Sequence, residues 1–259
     1  MGERTQYTPG TFNWVDLATT DQEAAKAFYA DLLGWEYEDL PVGEDQFYSM
    51  ARVDGKDVAA IANQPQPQRD AGVPPIWQSY VSVDSADDAA EKAAELGGQV
   101  HAGPFDVMEA GRMAVIQDPQ GAFFMVWEPR DNIGAKLVNA HGALSWNEHY
   151  SPDPDGAAEF YGGLFGWETS AMDQMPMKYL VISNEGKGNG GMTVPPAPEV
   201  PPSWLVYFAV DDIDDALGKV QELGGTTMMG PTDIGIAKIA VASDPQGAAF
   251  ALYSGQLEP

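Results

Sequence analysis

The feature that most constrains this chain is that it is written twice. AAKAFYADLLGWE (24–36) lies over GAAEFYGGLFGWE (156–168), which places Phe28, Tyr29, Gly34 and Trp35 on Phe160, Tyr161, Gly166 and Trp167 at an offset of 132. The same offset puts Trp14 on Trp146 and Asp16 on Glu148. PPIWQSYVSVD (74–84) then matches PPSWLVYFAVD (201–211), and ELGGQVHAGPFD (95–106) matches ELGGTTMMGPTD (222–233), both at offset 127. DPQGAFF (118–124) closes the series on DPQGAAF (244–250) at offset 126. A repeat that covers nearly all of 259 residues predicts two tandem copies of one domain, 1–130 and 140–259, with a linker near 129–141.

Within each copy the hydrophobic period switches in a fixed order. Residues 12–17 read as a strand, Thr20-Asp21-Gln22-Glu23 has capping-box spacing, and the apolar positions 25, 28, 29 and 32 share one helical face. Strand-like runs follow near 35–40, 46–53 and 57–63. The pattern restarts with a strand at 76–83, a helix at 85–96 and strands near 99–106, 111–117 and 122–128. The unit is therefore βαβββ, used twice per domain: about 10–66 and 74–129, then about 140–196 and 201–256. This is an α+β chain. Asp118-Pro119-Gln120-Gly121 has Pro and Gly where a type I turn takes them, and Asp244 to Gly247 repeats it. The Pro-rich stretches 64–75 and 194–202 read as connections between half-domains.

Composition removes several functional classes. With 39 Asp+Glu against 13 Lys+Arg the net charge is −26, a field that repels phosphate backbones and anionic lipid. No basic patch offsets it, so neither nucleic acid nor a membrane surface is an expected partner. Zero cysteine excludes disulfides, thiol nucleophiles and Cys-ligated metals. A 44% hydrophobic content is enough for a packed core, and the start MGERTQYTPG has no apolar signal segment. The expectation is a cytoplasmic protein.

Two βαβββ modules per domain, FY…LGWE on the first helix and DPQG before the final strand resemble the vicinal oxygen chelate superfamily, which includes glyoxalase I, bleomycin-resistance proteins and extradiol dioxygenases. More closely, TFNWVDLATTD with PPIWQSYVSVD is similar to tandem glyoxalase-like proteins of actinobacteria often labelled hydroxylases. The resemblance implies a cup-shaped mixed sheet in each domain with the helices outside, and His or Glu metal ligands on the first and last strands of the modules. Here those stations fall on Trp14, Gln78 and Met125 in domain one and on Trp146, Leu205 and Ala251 in domain two. The ends of the fourth strands, near Ala60-Ile61 and Met192-Thr193, add no carboxylate or imidazole. A divalent metal needs several such ligands converging on one point, so no metal and no other cofactor is expected.

Side chains two apart on a strand share a face. The station face then carries Trp14, Asp16, Gln78, Tyr80, Met125 and Trp127 in domain one, and Trp146, Glu148, Leu205, Tyr207, Ala251 and Tyr253 in domain two. Pairing Gln117 with Ala122 across the DPQG turn brings Arg112 opposite Trp127, and the matching step brings Lys238 opposite Tyr253, so both cations are expected in the cups. Aromatic rings with a few polar groups suit a small flat ligand. Alternatively the rings fill the hollow as core, with Arg112 paired to Asp16 or stacked on Trp127.

Three functions stay open: metal-independent binding of a small aromatic or carbonyl-bearing metabolite or drug, an isomerase, lyase or hydroxylase with Asp16 or Glu148 as base, and an interaction module with filled cups. Domain one has the richer polar set and is favoured as the binding cup. Internal pairing of the two domains predicts a monomer. His101, His141 and His149 read as surface or hydrogen-bonded histidines, and Gly186 to Gly191 as a flexible hairpin turn, because no helix follows it to receive a phosphate. The acidic run Asp211-Asp212…Asp214-Asp215 fits a helix start.

Overall fold

The computed structural model describes residues 2–172 and 177–257. The chain runs β1 (Gly2–Glu3), β2 (Phe12–Thr19), α1 (Gln22–Leu33), β3 (Glu36–Gly43), β4 (Gln46–Val53), β5 (Lys56–Asn63), α2 (Gln66–Asp70), β6 (Ile76–Ser82), α3 (Ala86–Glu95), β7 (Gln99–Val107), β8 (Gly111–Gln117) and β9 (Phe123–Pro129). After β10 (Leu137–Val138) the pattern returns as β11 (Leu144–Tyr150), α4 (Pro154–Phe165), β12 (Glu168–Ala171), β13 (Tyr179–Asn184), β14 (Lys187–Thr193), β15 (Ser203–Ala209), α5 (Ile213–Glu222), β16 (Thr226–Asp233), β17 (Ala237–Ser243) and β18 (Ala249–Gly255). No helix among the described residues is long and apolar enough to cross a membrane.

Each half forms one eight-stranded mixed sheet, ordered β3-β4-β5-β2-β6-β9-β8-β7 and β12-β13-β14-β11-β15-β18-β17-β16. The modules of a domain meet at an antiparallel centre, β2 against β6 and β11 against β15, while β2 runs parallel to β5 and β6 to β9. Each of the four long helices, α1, α3, α4 and α5, crosses from a central strand to the sheet edge, so they lie on one face and leave the other as the cup.

Local chemistry sets the helix limits. α1 starts from Asp21 rather than Thr20: the Asp21 carboxylate accepts the Ala24 N–H, and the helix stops at Gly34 with φ 73°, a left-handed turn that glycine adopts at little cost. α4 repeats this with Asp153 and Gly166. The glycine run behaves differently from the expected turn. Only Glu185 and Gly186 make the turn; Gly188, Gly190 and Gly191 lie inside β14. At Gly191 a Cβ would collide with the Tyr179 hydroxyl, so the missing side chain makes room for that ring in the second cup.

The helix faces of the two domains pack against each other. The core of α1 (Phe28, Tyr29, Leu32) is continuous with Val206, Phe208, Phe250 and α5, and that of α3 with Phe160, Tyr161 and Leu164 of α4. The repeated motifs form this joint. Trp35 Nε1–H donates to Gly142 O at 2.6 Å and Trp167 Nε1–H to Gly10 O at 2.7 Å, each tryptophan reaching into the other domain. Tyr29 donates to Asp244 and Tyr161 to Asp118, so the tyrosine of each FY pair meets the aspartate of the opposite DPQG turn. His149, fully buried, adds an Nε2–H bond of 2.8 Å to Asp118. Burial alone would raise the Asp118 carboxyl, but the bond to His149, its charge interaction and the Ala122 N–H hold it below the usual range.

Candidate functional site

Strand alternation and cross-strand register define the cup face of domain one. Trp14 pairs with Tyr80 and Asp16 with Gln78 across β2 and β6; Asp16 also lies beside Ala60, and Tyr80 beside Met125. From β4, Tyr48 reaches in and completes a chain of hydrogen bonds. Trp14 Nε1–H donates to the Tyr48 hydroxyl at 2.8 Å, Tyr48 donates to Asp16 Oδ2 at 2.9 Å, and Tyr80 donates to the same oxygen at 2.8 Å. Asp16 is only 7% exposed, and its other oxygen, Oδ1, has no partner. Trp127 stands edge-on to Tyr80 and is fixed by an Nε1–H bond of 2.8 Å to Asn132 O.

The floor is packed: Trp14, Met50, Ala60, Tyr80, Met125 and Trp127 are all buried. Above it the face stays partly open, through half-buried Tyr48, Gln78, Met113 and Val115 and the exposed Leu40 and Phe105 of the edge strands. The floor of the hollow is thus filled by side chains, while its rim is exposed.

Domain two repeats the arrangement with one more ring. Glu148 Oε1 accepts from Tyr207 at 3.0 Å, the Tyr179 and Tyr150 hydroxyls favour its anion, and Trp146 Nε1–H donates to Tyr179 at 3.1 Å. Leu205, Tyr207 and Ala251 are buried together with Ile239, Val241 and Tyr253 around them. Tyr253 donates to Gln256 O.

Two expected members lie elsewhere. The DPQG hairpin pairs Gln117 with Phe123, one residue beyond the expected Ala122, because the Asp118 N–H closes on Ala122 O while Asp118 Oδ1 takes the Ala122 N–H. A slip of one residue exchanges the faces. Arg112 therefore pairs with Glu128, faces the helix side and bridges Asp87 of α3 and Asp106. Lys238 pairs with Ser254 and reaches Asp214 of α5. Met113 and Ile239 take the cup positions instead, so neither cup carries the cation the sequence predicts, and Arg112 neither pairs with Asp16 nor stacks on Trp127.

The missed members are Tyr48 and Tyr179. A signal for them existed, since they match each other at offset 131. The other histidines are peripheral: His101 bonds Gln117, and His141 lies beside Asp211. Two surface hollows, of about 340 and 460 Å³, flank α5 rather than the cups and are edged by Asp212, Asp214, Asp215 and Asp233.

Burial governs the electrostatics of both carboxylates. Asp16 is pushed up to about 6, because loss of water outweighs the Tyr80 and Tyr48 hydrogen bonds that favour its anion. Glu148 is raised for the same reason, against its tyrosine donors. A folded-state value above the unfolded 3.8 means that the neutral acid is the form the fold favours. That contribution is fully present below about pH 4 and is lost as pH rises through about 6. Asp16→Asn, which cannot ionise, should accordingly gain about 2–3 kcal/mol on wild type between pH 4 and pH 8. Urea unfolding at both pH values measures it, and a difference that stays flat or shrinks would place the carboxylate in a wetter site.

A metal centre does not fit these residues. The stations hold Trp14, Gln78, Met125, Trp146, Leu205 and Ala251, none an imidazole or carboxylate. Among the described residues no group of three or more His, Cys, Asp or Glu is placed to hold an ion.

The sequence matches the family described as Glyoxalase/Bleomycin resistance protein/Dioxygenase superfamily over residues 11–126 and 144–252, once per domain. It is 46% identical over 255 residues to the Mycobacterium tuberculosis (strain CDC 1551 / Oshkosh) protein named "Putative glyoxylase CFP32", covering 97% of each chain. It is 32% identical over 261 residues to the anthracycline biosynthesis protein DnrV of Streptomyces peucetius, covering 96% of this chain and 94% of that one. The Mn(II)-bound glyoxalase from Novosphingobium aromaticivorans shares the fold, with a TM-score of 0.67, 19% identity, and 96% of this chain and 83% of that one covered.

Proposed function

Because the chain belongs to the Glyoxalase/Bleomycin resistance protein/Dioxygenase superfamily, we propose that it binds a small aromatic or carbonyl-bearing metabolite or drug in the domain-one cup without a metal ion, in a resistance or detoxification role in the cytoplasm. The observation that carries this reading is the exchange at the stations: where a metal site needs ligands stand Trp14, Gln78 and Met125, and Trp14 and Met125 join the buried floor beside one carboxylate, Asp16. Rings supply most of the contact area for a flat ligand, and a few polar groups set its orientation. The open tier above the floor offers Tyr48, Met113, Val115 and Phe105 as walls and the Gln78 amide as a donor to a ligand carbonyl. Similarity to a protein named for anthracycline biosynthesis supports the aromatic part, since an anthracycline is a fused-ring compound bearing carbonyl groups. Pairing of the domains through the reciprocal Trp35 and Trp167 bonds supports a monomer.

The test is calorimetric titration with 2-acetylnaphthalene of wild type and of a Trp14→Ala/Gln78→Ala variant shown by circular dichroism to be folded. Trp14→Phe/Gln78→Ala serves if the first does not fold. The expected result is a loss of affinity of about tenfold or more, at least 1.4 kcal/mol. Unchanged binding would remove the cup from the account.

One observation favours a second reading, turnover with Asp16 as base. A buried carboxyl near pH 6 with a free oxygen has the properties of a general base. Under it, Asp16→Asn would abolish consumption of a bound substrate while leaving its binding in place.

A further inference from the structure

Asp16 is 7% exposed and carries one oxygen in use and one without a partner. Oδ2 accepts both tyrosine hydroxyls; Oδ1 accepts nothing. A buried acceptor left in this way is costly and is relieved by any ligand group that brings a donor to it. Glu148 in the other cup differs: Tyr207 donates to its Oε1, and neither of its oxygens is left buried without a partner. The remaining polar capacity of the first cup is therefore an anion's acceptor and the Gln78 amide. The tyrosine hydroxyl protons are already committed to Asp16, and the Trp14 N–H to Tyr48.

Among the described residues no Lys or Arg pairs with Asp16; Arg52, on the Tyr48 and Met50 side of β4, is held by Glu38 and Asp57. Arg112, which could have paired with it, is held on the opposite face by Asp87 and Asp106. Around Asp16 stand the rings of Trp14, Tyr48 and Tyr80, whose aromatic surface suits an aromatic ligand frame. The chain as a whole, at −26, draws cations and repels anions.

We propose that the domain-one cup selects an organic cation, a protonated amine carried on an aromatic frame, with the ammonium donating to Asp16 Oδ1 and the rings of Trp14, Tyr48 and Tyr80 around it. This rests on the reading of that cup as a ligand site and adds the charge class of the ligand. The two least buried side chains beside the carboxylate are Tyr48 and Gln78, and they line the approach. At pH 7.5 the Asp16 carboxyl is above the value of about 6 to which burial raises it, so it meets an ammonium as an anion.

The experiment compares three ligands on one frame: 2-naphthylmethylamine, 2-naphthalenemethanol and 2-acetylnaphthalene. Each is titrated calorimetrically into wild type and Asp16→Asn at pH 7.5 in 0.3 M salt, about twice physiological, so that the diffuse field of the surface acids is screened. The amine is expected to bind wild type about tenfold more tightly than the alcohol. In Asp16→Asn the preference of amine over alcohol should fall to within about twofold. Equal binding of amine and alcohol to wild type, or a preference that survives Asp16→Asn, overturns the inference while leaving the cup reading standing. Absence of binding by all three compounds overturns both.

Discussion

Asp118→Ala is expected to lower the unfolding free energy by about 4 kcal/mol, the scale of two buried donors stranded at about 1–3 kcal/mol each. The reason is the number of donors stranded at once. Asp118 Oδ1 accepts the N–H groups of Gln120, Gly121 and Ala122, and Oδ2 accepts from Tyr161 and from His149, which is fully buried. Alanine leaves the His149 and Tyr161 donors without an acceptor, at about 1–3 kcal/mol for each unsatisfied buried group. Since these two donors belong to domain two and the carboxylate to domain one, the loss falls on the joint between domains. Asp244 performs the same task in the other turn with Tyr29 but no histidine, Leu17 standing where domain two has His149. Asp244→Ala should thus cost less than Asp118→Ala. Urea unfolding of both variants gives the comparison. A loss below about 1 kcal/mol for Asp118→Ala would show that the network is wet.

Trp35→Ala should cost about 3–5 kcal/mol, the range for truncating a large aromatic in a core. Its ring stacks on Tyr29 at 5.4 Å and meets Trp77 and Phe208 edge-on. Removing it opens a cavity between the domains and orphans Gly142 O, to which its N–H donates. Trp35→Phe keeps much of the volume and loses only the bond, so it should retain most of the stability. The measurement is again equilibrium unfolding; equal losses for the two substitutions would mean that the hydrogen bond, not the filled volume, holds the joint.

The residues that make the repeat recognisable turn out to hold this joint rather than to line the cups. Phe28, Tyr29 and Trp35, with their counterparts Phe160, Tyr161 and Trp167, pack between the domains, and the DPQG aspartates accept from the opposite tyrosines. Their spacing was readable because helix period and turn chemistry are local, and βαβββ followed from them. Trp14, Asp16 and Tyr80 were also readable as one face, since alternation along a single strand needs no knowledge of its neighbours.

What was not readable needed hairpin register. The Asp118 and Asp244 side chains each intercept an N–H that a simple turn would leave to the strand ladder, and the resulting slips of one residue carry Arg112 and Lys238 to the helix face. Tyr48 was missed because it comes from β4, two strands away from Asp16 in the sheet, and only the fold brings its hydroxyl within 2.9 Å. The depth of the cup was equally hidden. Packing of Trp14, Tyr80, Met125 and Trp127 into a buried floor depends on how far the sheet curls, which alternation does not encode.

Binding in the cup without a metal ion is the central claim, and its most direct test is titration of the wild-type protein with 2-acetylnaphthalene before and after exhaustive chelation, with metal content measured on the same samples. The same affinity in both samples, with no stoichiometric metal in either, is the expected result. Binding that disappears on chelation and returns with added Mn(II) or Fe(II) would contradict it, and would mean that Trp14, Gln78 and Met125 do not mark the working end of the cup.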